Sequence, residues 1–336
     1  MDPPIATDAL GRYLAAHIGG FGPLKSIRKF DGGQSNPTYL LTAGSGRYVL
    51  RRKPGGALLH SAHAIDREYR VLEALACSDV PVPRARHYCE QEDVVGTAFY
   101  VMDFVDGRVF WDPQLPEVDA QTRGAMYDEM NRVLAVLRRV DFAERGLLNF
   151  GRPGSYCERQ IRRWTEQYRA AETEARPDVE RLIEWLPANV PADDGQVALV
   201  HGDFRLDNML FDASGHVVAL LDWELSTLGH PHADLAYQCA QWRLPPGPMR
   251  GLEGIDRAAL NIPSEADYVA QYCRRLGLNG IANWGFFLVL SLFRLASICQ
   301  GVYRRGLAGN ATNAAALEFG ERTRIIAAAA VEILSR

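Results

Sequence analysis

Residues 201–224 read HGDFRLDNMLFDASGHVVALLDWE. Two short apolar runs, Asn208 to Phe211 and Val217 to Leu221, flank the turn residues Asp212-Ala213-Ser214-Gly215. That pattern predicts a tight hairpin. Asp203 and Asn208 lie five residues apart on the loop entering its first strand, and Asp222 ends the second. A hairpin folds its strand ends together, so the three side chains converge. Phosphoryl transfer needs little covalent help from a protein. It needs cations against phosphate charge and a group that orients the acceptor hydroxyl. Mg²⁺ prefers carboxylate and amide oxygens. The expected division is Asp203 on the acceptor hydroxyl, Asn208 and Asp222 on Mg²⁺, and His201 bracing the loop. A surface turn would not place acid, amide, hairpin and second acid in this order. A zinc hydrolase built on His201, Asp203, Asp222, His230 and His232 is the competing chemistry. His230 and His232 flank Pro231, however, and no helical HExxH pair occurs.

Outward from this segment the chain changes character. After an opening helix, Lys25 to Phe30 is strand-like. Tyr39-Leu40-Leu41 and Arg47 to Arg51 are strands joined by Ala43-Gly44-Ser45-Gly46. From Ala62 to Ala76, Ile65, Tyr69, Leu72 and Leu75 recur at helical spacing until Pro81-Val82-Pro83. Phe99 to Phe104 is a further strand, ending at Asp106-Gly107. Beyond it the chain is mostly helical, with Arg123 to Arg139 and Tyr156 to Ala171 amphipathic. The expected fold class is α+β in two lobes: 1–105 β-rich, and 106–336 helical with one small hairpin.

A chain of 336 residues is long for one core. Net charge −4 argues against a generic nucleic-acid binder. Six scattered cysteines without a CxxC pair read as reduced thiols of a cytoplasmic protein. The N-terminus lacks the apolar core of a signal peptide. The most apolar window, Trp284 to Ala296, contains Arg294 and reads as a buried helix rather than a membrane span.

The string at 201–208 resembles the HGDxxxxN signature of the aminoglycoside phosphotransferase and choline kinase families, with LLDWE as their metal-binding segment. Likeness runs from about residue 25 to 325. It is nearest to the phosphotransferase domains associated with acyl-CoA dehydrogenases, in YVLRRKPGG, SAHAIDREYRVLEAL, ERQIRRWTEQY, DWELSTLGHPHADLAY and FRLASICQGVYRRGLAGNA. The resemblance implies a protein-kinase-like bilobal fold using Mg²⁺ and ATP or GTP. It puts Arg51 where kinases carry a strand lysine, with Glu68 as its partner and Lys53 in reserve. It places Gly32, Gly33, Gln34, Ser35 and Asn36 in the loop covering the nucleotide. It also lines the adenine site with Met102, Phe104 and Val105, and makes Asp234 a structural tie beneath the catalytic loop. Asp207 stays outside the metal set.

The acceptor is less legible. Arg159, Arg162, Arg163, Trp164 and Tyr168 share one helix, and Arg294, Tyr303, Arg304 and Arg305 lie on or after another. Polycationic antibiotics call for acidic pockets. Arginines here point to an anionic hydroxylated small molecule, a hydroxy acid or hydroxyacyl-CoA, with Glu224, Arg163, Arg294, Tyr303 and Arg305 as candidate contacts. The resemblance adds a functional link to an acyl-CoA dehydrogenase. The alternatives are an aminoglycoside-type antibiotic phosphotransferase and a non-catalytic nucleotide-binding pseudokinase.

Overall fold

The computed structural model describes residues 5–30, 36–54, 65–151, 155–310 and 315–334. The expected phosphate-loop residues Gly32, Gly33, Gln34 and Ser35 lie outside them. In chain order the elements are α1 (Thr7–His17), β1 (Leu24–Lys29), β2 (Thr38–Ala43), β3 (Gly46–Arg52), α2 (Ile65–Leu75), β4 (Ala85–Cys89) and β5 (Phe99–Asp103). Then come α3 (Ala120–Arg138), α4 (Tyr156–Ala171), α5 (Pro177–Ala188), β6 (Ala198–Val200), β7 (Met209–Phe211), β8 (Val217–Leu220) and β9 (Thr227–Gly229). The last helices are α6 (Ala233–Cys239), α7 (Glu265–Leu276), α8 (Trp284–Leu307) and α9 (Phe319–Leu334).

Contacts gather these elements into two units. The first is Met1–Val109 with Asp141–Phe150 and Asn208–Ser226. Its core is an antiparallel sheet in the order β1-β2-β3-β5-β4. Strand side chains alternate between faces. Leu41, Leu50, Phe99 and Val101 pack with Leu10 and Leu14 of α1. Neighbouring arginines therefore part company: Arg52 lies buried against Tyr39 and donates to the Val95 carbonyl at 2.7 Å. Arg51 points the other way, to α2. Strand β4 was not foreseen, because the Pro81-Val82-Pro83 stop masks the short ARHYC run behind it.

The hairpin β7–β8 forms as expected, with Met209 opposite Leu220. A division at 105/106 assigns it to the helical part of the chain, whereas its contacts place it in the first unit. Leu220 N–H donates to the Pro81 carbonyl at 2.8 Å. Arg108 and Phe211 exchange both backbone bonds, at 2.8 and 2.9 Å. Gly107 permits this close approach, since a Cβ there would lie 3.0 Å from Leu210 Cβ and 3.2 Å from the Phe211 carbonyl oxygen. Arg67 of α2 fastens the far end by donating to the carbonyls of Phe150 and Ser226, at 2.7 and 3.3 Å.

The second unit is Phe110–Val140, Gly151–Asp207 and Thr227–Arg336. One core joins α4, α5, α6, α8 and α9 through residues such as Trp164, Leu182, Ala236, Phe293 and Ile326. Helix α8 extends well past the apolar window, to 24 residues, and by length and composition could cross a membrane. Two thirds of its apolar window, 67%, is buried inside the protein, as a core helix requires.

Candidate active site

In the second unit, β6 delivers His201 to Asp207 onto a loop that is held from below. The buried Asp234 carboxylate, at the start of α6, accepts from His201 N–H at 2.7 Å and Gly202 N–H at 2.8 Å. Burial raises its pKa above the ordinary range, while His201 and the two amide bonds oppose the shift. Gly202 turns at φ +83°, a conformation that suits glycine. Asp203 N–H donates to His201 Nδ1 at 3.1 Å. Arg294 of α8 donates to the Gly202 carbonyl, and its guanidinium lies 4.7 Å from the Tyr237 ring centre. His201 and Asp234 thus brace this loop, and Arg294 joins them.

Asp203 itself is held below the ordinary carboxylate range. Burial pushes its pKa up, but Arg205, Arg294, the Tyr237 hydroxyl and His201 together outweigh burial. A carboxylate ionised throughout the neutral range accepts a hydrogen bond from a hydroxyl and is a weak proton abstractor. That suits orientation of a nucleophile in a loose transition state. Asp207, beside it, is tied to Arg205 and, at 3.2 Å, to Arg250.

In the first unit the hairpin brings Asn208 and Asp222 side by side. Leu221 N–H donates to the Asn208 carbonyl at 2.8 Å, so Asp222 follows directly across the ladder. Asp222 sits at φ +65°, the left-handed region that aspartate tolerates better than most residues. Arg51 bridges two acids, reaching Glu68 at 2.6 Å and Asp222 at 3.4 Å. Burial pushes Glu68 up to about 7, and Arg51 opposes that shift. Lys53 lies beyond the end of β3, where its backbone N–H meets the Ala98 carbonyl at 3.1 Å. Arg51 is accordingly the residue that β3 aims at α2. Asn36 is 2% exposed, and its amide lies 3.5 Å from Glu224 Oε2.

The remaining candidates fall in different places. Met102 is buried in β5 opposite Val49. Phe104, half-buried, donates its N–H to the Arg47 carbonyl at 3.2 Å and stacks under the Arg47 guanidinium. Val105, also half-buried, follows it. Arg163 and Arg294 both flank Trp164, at 5.1 and 5.3 Å from its ring centre. Tyr303 and Arg305 lie about 13 and 16 Å further along α8 than Arg294, at helical rise. The Tyr303 ring packs on Gly320 of the neighbouring helix. These two do not reach the loop that Arg294 holds. His230 stacks on Phe287, and His232 meets both rings edge to face. Among the described residues no three His, Cys, Asp or Glu group in a way that could hold a metal. Tyr237 and Arg205 escaped the sequence reading. Tyr237 is three residues after Asp234 on α6, on the same helix face, and that spacing was the available signal.

A β-sheet lobe with an Arg–Glu pair and a helical lobe with a carboxylate-braced HGD loop define a protein-kinase-like phosphotransferase acting on small molecules. The chain belongs to the phosphotransferase enzyme family whose model matches residues 26–274. It is 45% identical over 328 residues to acyl-CoA dehydrogenase family member 10 of Mus musculus, covering 96% of this chain. The chain spans only 30% of that protein and 40% of other curated relatives it matches. A solved structure from Ralstonia eutropha JMP134, provisionally described as an aminoglycoside phosphotransferase, superposes with a TM-score of 0.91. It is 46% identical, with 99% of each chain covered. An amicoumacin kinase solved with AMP-PNP, Ca²⁺ and its antibiotic shares the fold alone, with a TM-score of 0.62 and 15% identity over 94% of this chain and 92% of that one.

Proposed function

We propose that the chain is a cytoplasmic Mg²⁺–ATP-dependent O-phosphotransferase whose acceptor is the hydroxyl of an anionic small molecule, a hydroxy acid or hydroxyacyl-CoA. The observation that carries the acceptor class is the pair of guanidiniums on Trp164. Arg163 is lowered in pKa by burial and then by Arg294, so the two cations repel one another. An anion between or beside them relieves that repulsion, whereas a polycationic antibiotic adds to it. The relatives named as acyl-CoA dehydrogenases support the same class, and we extend the proposal to a functional link with such an enzyme.

The donor sets fit the roles. Asn208 offers an amide oxygen and Asp222 a partly exposed carboxylate, the hard oxygen ligands Mg²⁺ takes together with substrate phosphates. When bound, the metal would neutralise phosphate charge. Arg51, desolvated and pre-aimed by Glu68, would grip a phosphate through its planar fork. The end of β5, at Met102, Phe104 and Val105, would receive adenine or guanine. Glu224 and Asn36 flank Asp222 and would orient what binds there. Asp203 would accept the hydrogen bond of the acceptor hydroxyl and take its proton as the new P–O bond forms and the bond from the γ-phosphorus to the departing nucleoside diphosphate breaks.

A ³¹P-detected screen of hydroxy acids and their CoA thioesters, with ATP or GTP and Mg²⁺, tests this reading. Turnover of an anionic acceptor, with KM raised severalfold in Arg163→Ala, is the expected result. Comparable turnover of kanamycin, or an anionic acceptor indifferent to Arg163, overturns the acceptor class. Nucleotide binding without turnover of any acceptor would favour the pseudokinase alternative, against which the intact Asp203, Asn208 and Asp222 speak.

A further inference from the structure

The second unit contains a cavity of about 610 Å³ that the phosphotransferase reading does not use. It lies between the first turn of α4, the segment leading into β6, the end of β9 and the side of α8. No residue of the loop 201–207 borders it, nor does Arg163, Arg294 or Tyr237. Strand β6 separates the two: Val197 lines the cavity, and His201 follows four residues later, about 13 Å on at strand rise. The size is that of ordinary small-molecule sites.

Its inner wall is apolar and aromatic. Phe287, Leu228 and Val190 face it, and the His230 ring stacks on Phe287 with centres 4.5 Å apart. Both histidines are held neutral: burial lowers His230, and burial lowers His232 to about 4. His230 Nδ1 accepts from His232 N–H at 3.3 Å, which leaves the proton on Nε2, 3.6 Å from Asp194. His232 is 8% exposed, and its Nδ1 has no hydrogen-bond partner among the described residues. A donor that reached it would satisfy a nitrogen the fold leaves buried and unpaired. The rim is charged and unbalanced, with Glu158, Asp193 and Asp194 set against Arg159.

We propose that this cavity is a second binding site, separate from the acceptor site, for a small organic cation: an amine whose apolar body lies on Phe287 and Leu228 while its ammonium meets the Glu158, Asp193 and Asp194 carboxylates. An anion would meet three carboxylates against Arg159 on the rim and Arg138 behind Gln196, and a neutral molecule would leave the rim unmatched. His232 precedes α6, the helix whose Asp234 holds the catalytic loop, so the occupant would touch the element carrying that brace.

The test is titration calorimetry of the full chain with 2-phenylethylamine, against 2-phenylethanol and 3-phenylpropionate as its neutral and anionic matches. The amine is expected to bind at least tenfold tighter than either. Asp194→Asn combined with Glu158→Gln should remove most of that margin, and Asp203→Asn should leave it unchanged. Equal binding of the three probes, or binding of none, overturns the proposal. So does an amine indifferent to the rim variant, or one whose affinity falls in Asp203→Asn. His232→Phe probes the inner wall; should it not fold, the rim variant, at exposed positions, still decides.

Discussion

Asp234→Asn separates bracing of the catalytic loop from its chemistry. The buried Asp234 carboxylate accepts two amide bonds, from His201 at 2.7 Å and Gly202 at 2.8 Å. Bonds to a charged acceptor contribute about 1.5–3 kcal/mol each. Asparagine keeps one acceptor oxygen and turns an NH₂ toward the other amide, so one bond is lost and a buried N–H is left unpaired. The expected cost is about 2–4 kcal/mol, and for Asp234→Ala, which loses both acceptors, about 3–6 kcal/mol. In thermal unfolding the Asn variant should melt roughly 5–10 °C lower. In urea its midpoint should fall with the slope unchanged. Because Gly202 and Asp203 hang from this brace, phosphate transfer should also slow, with nucleotide affinity retained. Asp203→Asn is the control, since it leaves both amide bonds in place and should melt near the parent. An Asp234→Asn chain within about 0.5 kcal/mol of the parent would refute the bracing argument, because surface changes commonly fall in that range.

Asp203→Asn should lose about 10²–10⁴-fold in turnover while still binding nucleotide, measured by ³¹P detection of product and by nucleotide titration. Near-parental rates would remove Asp203 from the acceptor hydroxyl. Glu68 gives a pH signature. Its folded pKa is raised to about 7 from an ordinary 4.5, chiefly by burial. Its contribution to stability is therefore complete below about pH 4.5 and is lost as pH rises through about 7. Melting temperature should fall across that window, and Glu68→Gln should flatten the fall; an unchanged profile in the variant would reject the assignment. Arg51→Lys keeps the charge but loses the fork that reaches both Glu68 and Asp222. It should weaken ATP binding severalfold in calorimetry, and unaltered affinity would count against Arg51 as the phosphate anchor.

What was legible in the sequence depended on whether the signal was local. The hairpin 208–221 carries its own turn residues and alternation, so its strands and the pairing of Asn208 with the Asp222 end could be read directly. The Arg51–Glu68 pair was legible only through the family resemblance; period two sends Arg51 and Arg52 to opposite faces but does not name a partner for either. The unit to which the hairpin belongs was not legible. It is decided by backbone bonds from Pro81 and Arg108 that leave no mark in composition. The arginines show the same limit more sharply. Arg294, Tyr303 and Arg305 look alike as polar residues on an apolar helix, yet about 13–16 Å of helical rise separates the first from the others. Arg294 is committed to the Gly202 carbonyl, while Tyr303 rests on Gly320. What marks the proposed acceptor site is not the number of arginines in the helical lobe but Arg163 and Arg294 crowding one tryptophan, a juxtaposition that no spacing in the sequence encodes because the two residues come from different helices.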